Sequence, residues 1–281
     1  MQSLVTTQWL EDNLGATGLV VLDASAHLPA AQRDPSHEYA QGHIPGARFL
    51  DLKALTDPDD PVPSAPPTRA QFDAHMSALG LPENARIALY DNSPMRTAAR
   101  AWFLLRMYGV KAMVLDGGLE KWRAEDRPIE TGEIPYHPRP FASAGGTETS
   151  SLRYKQGVLS NIDTKSEQVV DARDAARFCG DAPDIRAGTA TGHIPGSRNL
   201  PFGYVLNPDG TFKDADGIRA AFESAGVDLD RAIVASCGSG ITASVLLFAL
   251  HLIGKEGALY DGSWSEWGAD PALPVATGEP A

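Results

Sequence analysis

Short apolar runs punctuate this chain at regular intervals, and longer stretches of helical period separate them. Leu19–Asp23, Ile87–Tyr90 and Ala112–Leu115 read as buried strands. Thr68–Leu79 and Thr97–Tyr108 read as helices between them. In the second half Ala232–Ser236 is a further apolar run, followed by a six-residue loop from Cys237 and an apolar helix starting near Thr242. Strands and helices that alternate in this way predict an α/β fold, a mostly parallel sheet with helices on both faces. In such sheets the reactive loops lie at the carboxyl ends of strands, which is where Cys237 falls.

Self-comparison shows that the pattern occurs twice. Gly42-His43-Ile44-Pro45-Gly46 returns as Gly192-His193-Ile194-Pro195-Gly196, and Val21-Leu22-Asp23-Ala24 returns as Val169-Val170-Asp171-Ala172. Asp116-Gly117-Gly118, with Trp122 behind it, returns as Asp261-Gly262-Ser263 with Trp267. A spacing of about 150 residues is too long for a solenoid and means a duplicated domain. The expected division is 1–132 for the first domain, 133–151 for a linker and 152–281 for the second. Proline, glycine and small polar residues mark the linker. A second proline-rich stretch, Asp57–Pro67, reads as a long surface loop. When Thr97 is aligned on Thr242, Asn92 falls at the place of Cys237, so the first domain is expected to carry no chemistry of its own.

Composition narrows the function. A net charge of −12 argues against nucleic acid as a partner, and an anionic substrate then needs arginines placed locally. No apolar run reaches the roughly 20 residues of a membrane span, and Met1–Leu10 lacks the pattern of a secretory signal. Two cysteines, Cys179 and Cys237, make no disulfide framework, so a cytoplasmic setting is expected. The seven histidines show no metal-ligand spacing, and no cofactor is called for.

Cys237 is the candidate nucleophile. Gly238 and Gly240 let the loop curl so that successive N–H groups face one spot, and the following helix adds its positive end there. The repeated motifs together with Cys237-Gly-Ser-Gly-Ile-Thr242 resemble the two-domain rhodanese sulfurtransferases, over about Trp9 to Pro274. Within that family the loop is similar to the mercaptopyruvate branch, whose usual form has Val at the place of Ile241. The thiosulfate branch carries basic residues where this chain has Gly238 and Ser239.

The resemblance implies a persulfide on Cys237, cradled by Gly238, Gly240, Ile241 and Thr242. It also implies a donor carboxylate held by Arg177 and Arg186. It implies further that His43 reaches toward the active loop, with Asp34 and Ser239 as relay partners; Glu38 competes with Asp34 for that place, and His193 is expected to be structural. The acceptor would be a thiol, such as that of a thioredoxin-like protein, or cyanide. Thiosulfate as donor and a non-catalytic interaction module remain the alternatives. The Cys-x5-Arg phosphatases are excluded because their essential arginine position is Ala243. Cys179, two residues from Arg177, is expected either to be a bystander or to sit in an electropositive setting that lowers its pKa.

Overall fold

The computed structural model describes residues 2–82, 84–146 and 151–279. The chain divides into two compact units. The first is Met1–Asp59 with Pro66–Thr147 and Pro208–Thr211; the second is Asp60–Ala65 with Glu148–Asn207 and Phe212–Ala281. Among the described residues no helix is long and apolar enough to cross a membrane.

Unit 1 is built on β1 (Leu4–Val5), β2 (Leu19–Asp23), β3 (Arg48–Phe49), β4 (Arg86–Tyr90) and β5 (Ala112–Leu115), all parallel, in the order β1-β5-β4-β2-β3. Its helices are α1 (Thr7–Asn13), α2 (Pro35–Gln41), α3 (Arg69–Ala78), α4 (Ala98–Met107) and α5 (Gly118–Ala124). Unit 2 repeats the plan. Its strands are β6 (Leu152–Arg153), β7 (Gln168–Asp171), β8 (Arg198–Asn199), β9 (Ile233–Ser236) and β10 (Ala258–Tyr260), parallel and ordered β6-β10-β9-β7-β8. Its helices are α6 (Lys155–Thr164), α7 (Ala175–Cys179), α8 (Ala215–Ser224), α9 (Ala243–Leu252) and α10 (Ser263–Trp267).

The central strands are where the apolar runs placed them, because strands buried on both faces are continuous in hydrophobicity. The α3 helix begins at a capping box: the Thr68 hydroxyl accepts the Gln71 N–H and the Gln71 side chain accepts the Thr68 N–H. Both α4 and α9 are apolar almost all round and buried along nearly their whole length, as expected of a helix in the middle of a domain. Each unit seats a tryptophan in its core with the indole N–H satisfied: Trp122 donates to Pro128 O at 2.8 Å and Trp267 to Pro274 O at 2.9 Å.

Two expectations need correction. The segment after residue 132 is not a free linker, for it packs on α3 as part of unit 1. Arg139 N donates to Ser77 O, Phe141 N to Ser77 Oγ and Ser143 N to Asp73 Oδ1, each at 3.0 Å. Residues 147–150 of the expected linker lie outside the described residues. The second correction concerns the first-copy counterpart of Cys237. Asp23 pairs with Tyr90 as Asp171 pairs with Ser236, so Asp91 and not Asn92 follows the strand as Cys237 does. The carbonyls agree: Asp91 O accepts Leu119 N and Cys237 O accepts Trp264 N, both at 2.9 Å. The threonine alignment slipped because the first loop is one residue longer, six steps from Asp91 to Thr97 against five from Cys237 to Thr242.

Asp91 points its carboxylate into its own loop. Oδ1 accepts Ser93 N and Oδ2 accepts Ala98 N, the first N–H of α4, both at 2.9 Å. Burial raises its pKa to about 6 against these bonds. The native state therefore binds more protons than the unfolded one between pH 4 and 6, and stability falls as pH rises through that window. A shift of that size amounts to about 3 kcal/mol. The substitution Asp91→Asn should flatten this part of the pH profile, measured as the urea midpoint of unfolding from pH 4 to pH 7.

Candidate active site

The nucleophile loop of unit 2 leaves β9 at Cys237 and enters α9 at Ala243, with Thr242 as the residue before the helix. The backbone turns at Gly240, whose φ of 73° suits glycine. Cys237 is buried, at 1% exposure, while Gly238, Ser239, Ile241 and Thr242 are partly exposed and Gly240 is buried.

The loop is pinned from below by a residue to which sequence reasoning gave no role. Ser263 is fully buried, and its hydroxyl accepts the Cys237 N–H at 3.1 Å and the Gly240 N–H at 3.2 Å while donating to Tyr260 O at 2.8 Å. Two further bonds close the contact: Trp264 N to Cys237 O and Ser265 N to Gly238 O, each at 2.9 Å. Ser263 holds a left-handed backbone, φ 50°, where the first copy has Gly118 at φ 61°. A side chain in that region costs about 1 kcal/mol or more, so the hydroxyl's three hydrogen bonds offset a real strain. Gly238 and Gly240 do not simply aim every N–H at one spot as expected, because the Gly240 and Cys237 donors are taken by Ser263.

The first copy shows what the loop's other donors can do. The N–H groups that hold the Asp91 carboxylate belong to Ser93 and Ala98. Their counterparts, two residues past Cys237 and at the first residue of the helix, are Ser239 and Ala243. An anion on the Cys237 side chain would meet the same kind of donor set.

Of the two arginines, Arg186 reaches the loop. A Cβ built on Gly238 would stand 3.0 Å from Arg186 NH1, so glycine leaves the space that the guanidinium fills. Arg186 is aimed by Asp184, whose Oδ1 accepts Arg186 N at 3.1 Å and NH1 at 3.3 Å. Behind Asp184 lies Arg173, gripped by both oxygens of Asp171 and by Gly192 O at 2.8 Å, with its guanidinium 4.4 Å over the Trp264 ring. Arg177 lies on α7 and is held by Asp174, Nε to Oδ2 at 2.5 Å.

The expected relay in unit 1 is not assembled. Asp34 caps α2, its Oδ1 accepting Ser36 N at 3.0 Å and His37 N at 3.2 Å. Glu38 is engaged by Arg33 with two bonds of 2.6 Å and by His27 at 3.1 Å. Neither carboxylate meets His43. His43 is fully buried, stacked on Tyr39 with 4.1 Å between ring centroids, and bonds Tyr39 O through Nδ1 at 2.8 Å. His193 does the same in unit 2, stacked on Phe178 at 3.8 Å with Nδ1 on Phe178 O at 2.9 Å. The two histidines are matching pins in the two copies; at His43 Nε2 the nearest acid is Glu130, 3.9 Å away.

Cys179 also departs from the electropositive alternative. Burial, with Glu279 and Asp181 nearby, pushes its thiol above the ordinary range. Its neighbour Arg177 is tied to Asp174 instead.

Against this geometry the comparisons are decisive. The family model described as the rhodanese-like domain matches twice, over residues 6–125 and 155–270. This chain belongs to the rhodanese-like family. It is 37% identical to the 3-mercaptopyruvate sulfurtransferase of Escherichia coli, over 96% of each chain. It is 36% identical to the thiosulfate sulfurtransferase of Bos taurus, over 95% of this chain and 92% of that one. The crystal structure of SseA from Escherichia coli, a 3-mercaptopyruvate sulfotransferase, matches with a TM-score of 0.84 at 34% identity, covering 95% of this chain and 100% of that one. Identity alone therefore does not separate the two donors, and the loop must.

Because its thiol is raised and lies outside the pinned loop, Cys179→Ser should keep steady-state activity within about twofold of the wild type, whichever donor is used. A tenfold loss would give Cys179 a part in the reaction.

Proposed function

We propose that this rhodanese-like sulfurtransferase takes sulfur from 3-mercaptopyruvate onto Cys237 and passes it to a thiol or cyanide. The observation that carries the donor is Arg186 lying against Gly238. A guanidinium at that place offers a planar fork to the carboxylate of a 2-oxo acid. The resemblance noted above puts basic side chains at positions 238 and 239 in the thiosulfate branch, and here a Cβ at 238 would press on the Arg186 guanidinium and make it shift.

In the first step the Cys237 thiolate attacks the sulfur of 3-mercaptopyruvate. The carbon–sulfur bond breaks, its electron pair leaves on carbon as the enolate of pyruvate, and the outer sulfur stays on Cys237 as a persulfide. Arg186, with Arg177 as its expected partner, holds the carboxylate and the keto oxygen as negative charge grows there. The enolate carbon takes a proton, moved by the Ser239 hydroxyl from solvent, to give pyruvate. In the second step the acceptor's thiolate, or cyanide, attacks the outer sulfur and Cys237 leaves as thiolate. The persulfide waits in the loop, within reach of the N–H groups of Ser239 and Ala243.

A second reading keeps the chemistry and makes thiosulfate the donor, in line with the bovine relative's name. Side-by-side kinetics with the two donors separate them. Wild-type kcat/KM should be higher for mercaptopyruvate, and the opposite order would assign thiosulfate.

The nucleophile is tested by intact-mass spectrometry after donor treatment. The wild type should gain one sulfur atom and Cys237→Ser none, with the thermal transition kept. For the donor, a hydrogen bond to a charged group contributes about 1.5–3 kcal/mol, so Arg186→Ala or Arg177→Ala should lower kcat/KM for mercaptopyruvate by roughly 10- to 150-fold. Thiosulfate turnover should fall less, and equal losses with both donors would overturn the mercaptopyruvate assignment.

A further inference from the structure

Unit 2 buries a chain of alternating charges that unit 1 lacks. Asp171, Arg173 and Asp184 are almost wholly shielded, Arg173 and Asp184 with side chains only 1% exposed, and the chain ends on Arg186 beside the nucleophile loop at 29%. In the first copy the residue two past the matching aspartate is Ser25, which bonds Asp23 through its N–H at 2.9 Å and its hydroxyl at 2.5 Å. The fold therefore closes without an arginine at this place. Burying a guanidinium and two carboxylates is seldom the most stable choice, because desolvation consumes most of the attraction. Arg173 and Asp184 have another use.

We infer that Asp184 is a positioning residue that sets donor specificity by aiming Arg186 and cancelling one positive charge beside the nucleophile loop; this rests on the reading of Arg186 as the carboxylate clamp. Asp184 divides its oxygens between two arginines. Oδ1 holds Arg186 through its backbone N–H and NH1, which fixes the side chain in the direction of Gly238. Oδ2 faces Arg173 NH1 at 3.8 Å, and neither of those two atoms has a hydrogen-bond partner. Arg173 is immobilised by Asp171, Gly192 O and the Trp264 ring, so it is the fixed post against which Asp184 stands.

The charge balance follows from the same contacts. Two arginines and two aspartates sum to zero in a chain that ends beside the nucleophile loop. A neutral neighbourhood gives a dianion such as thiosulfate no advantage from charge alone. A monoanionic 2-oxo acid is selected instead by the geometry of one well-aimed fork.

Asp184→Asn removes the charge and keeps the shape. With mercaptopyruvate, KM should rise at least about tenfold while kcat changes by less than about threefold, since one charge-assisted bond that aims the clamp is lost. With thiosulfate, kcat/KM should rise about threefold, the effect of one uncompensated unit charge nearby in a water-like medium. The dissociation constant of pyruvate should rise and that of inorganic sulfate should fall, read by competition. Asp184→Glu, which restores the charge on a longer arm, should return the thiosulfate and sulfate values to wild type, and it serves as the second variant if the asparagine form loses its thermal transition. Parallel losses with both donors, or pyruvate and sulfate moving together, would make Asp184 merely structural and overturn the inference. If the wild type proved not to use mercaptopyruvate, the proposed donor would fall. The pyruvate and sulfate competitions would still decide the role of Asp184.

Discussion

Much of this molecule depends on one requirement: N–H groups at the start of a buried helix, just past a strand end, need a negative partner. Each unit meets that requirement in its own way. Unit 1 supplies the partner from within, the Asp91 carboxylate bonded to Ser93 N and Ala98 N. Unit 2 places Cys237 at the equivalent point, with Ser239 and Ala243 at the positions of the two donors. The same local electrostatics is thus structural in the first copy and, in the proposed reaction, chemical in the second.

Duplication turns the protein into its own control. Features shared by both copies belong to the fold: the stacked histidines His43 and His193, the core tryptophans Trp122 and Trp267, and the strand-end aspartates Asp23 and Asp171. Features confined to unit 2 gather at the loop: Cys237 for Asp91, Ser263 for Gly118 and Arg173 for Ser25. This sorting marks the packing of His43 as part of the fold, because its counterpart His193 likewise stacks on an aromatic ring and bonds that residue's carbonyl through Nδ1.

The central sheet was legible in the sequence because buried parallel strands are apolar without interruption. Leu19–Asp23 and Ala112–Leu115 run in the structure as the pattern has them, and the helices Thr68–Leu79 and Thr97–Tyr108 differ only by their capping residues. The edge strands β1, β3, β6 and β8 were invisible, since two residues carry no period. Cys237 was a candidate because its loop after a buried strand is legible locally, and Arg186 became one through the resemblance to the family. Asp184 and Ser263 could not be found, because each acts through a contact across the fold and not through a local pattern. The signal that would have pointed to Ser263 and Arg173 was present in the repeat: each stands where the otherwise similar copy has a smaller residue.

Gly118 and Ser263 also bear on how the two copies came to be fixed in their roles. A Cβ at Gly118 would stand 2.6 Å from the backbone oxygen of Asp91, so the first copy has no room for the hydroxyl that pins the nucleophile loop in the second. Its loop is also one residue longer. A cysteine at 91 alone would thus enter a loop with neither the support nor the length of its counterpart. The copies thus differ by several changes gathered at one place, and a single substitution in the first does not reproduce the loop of the second.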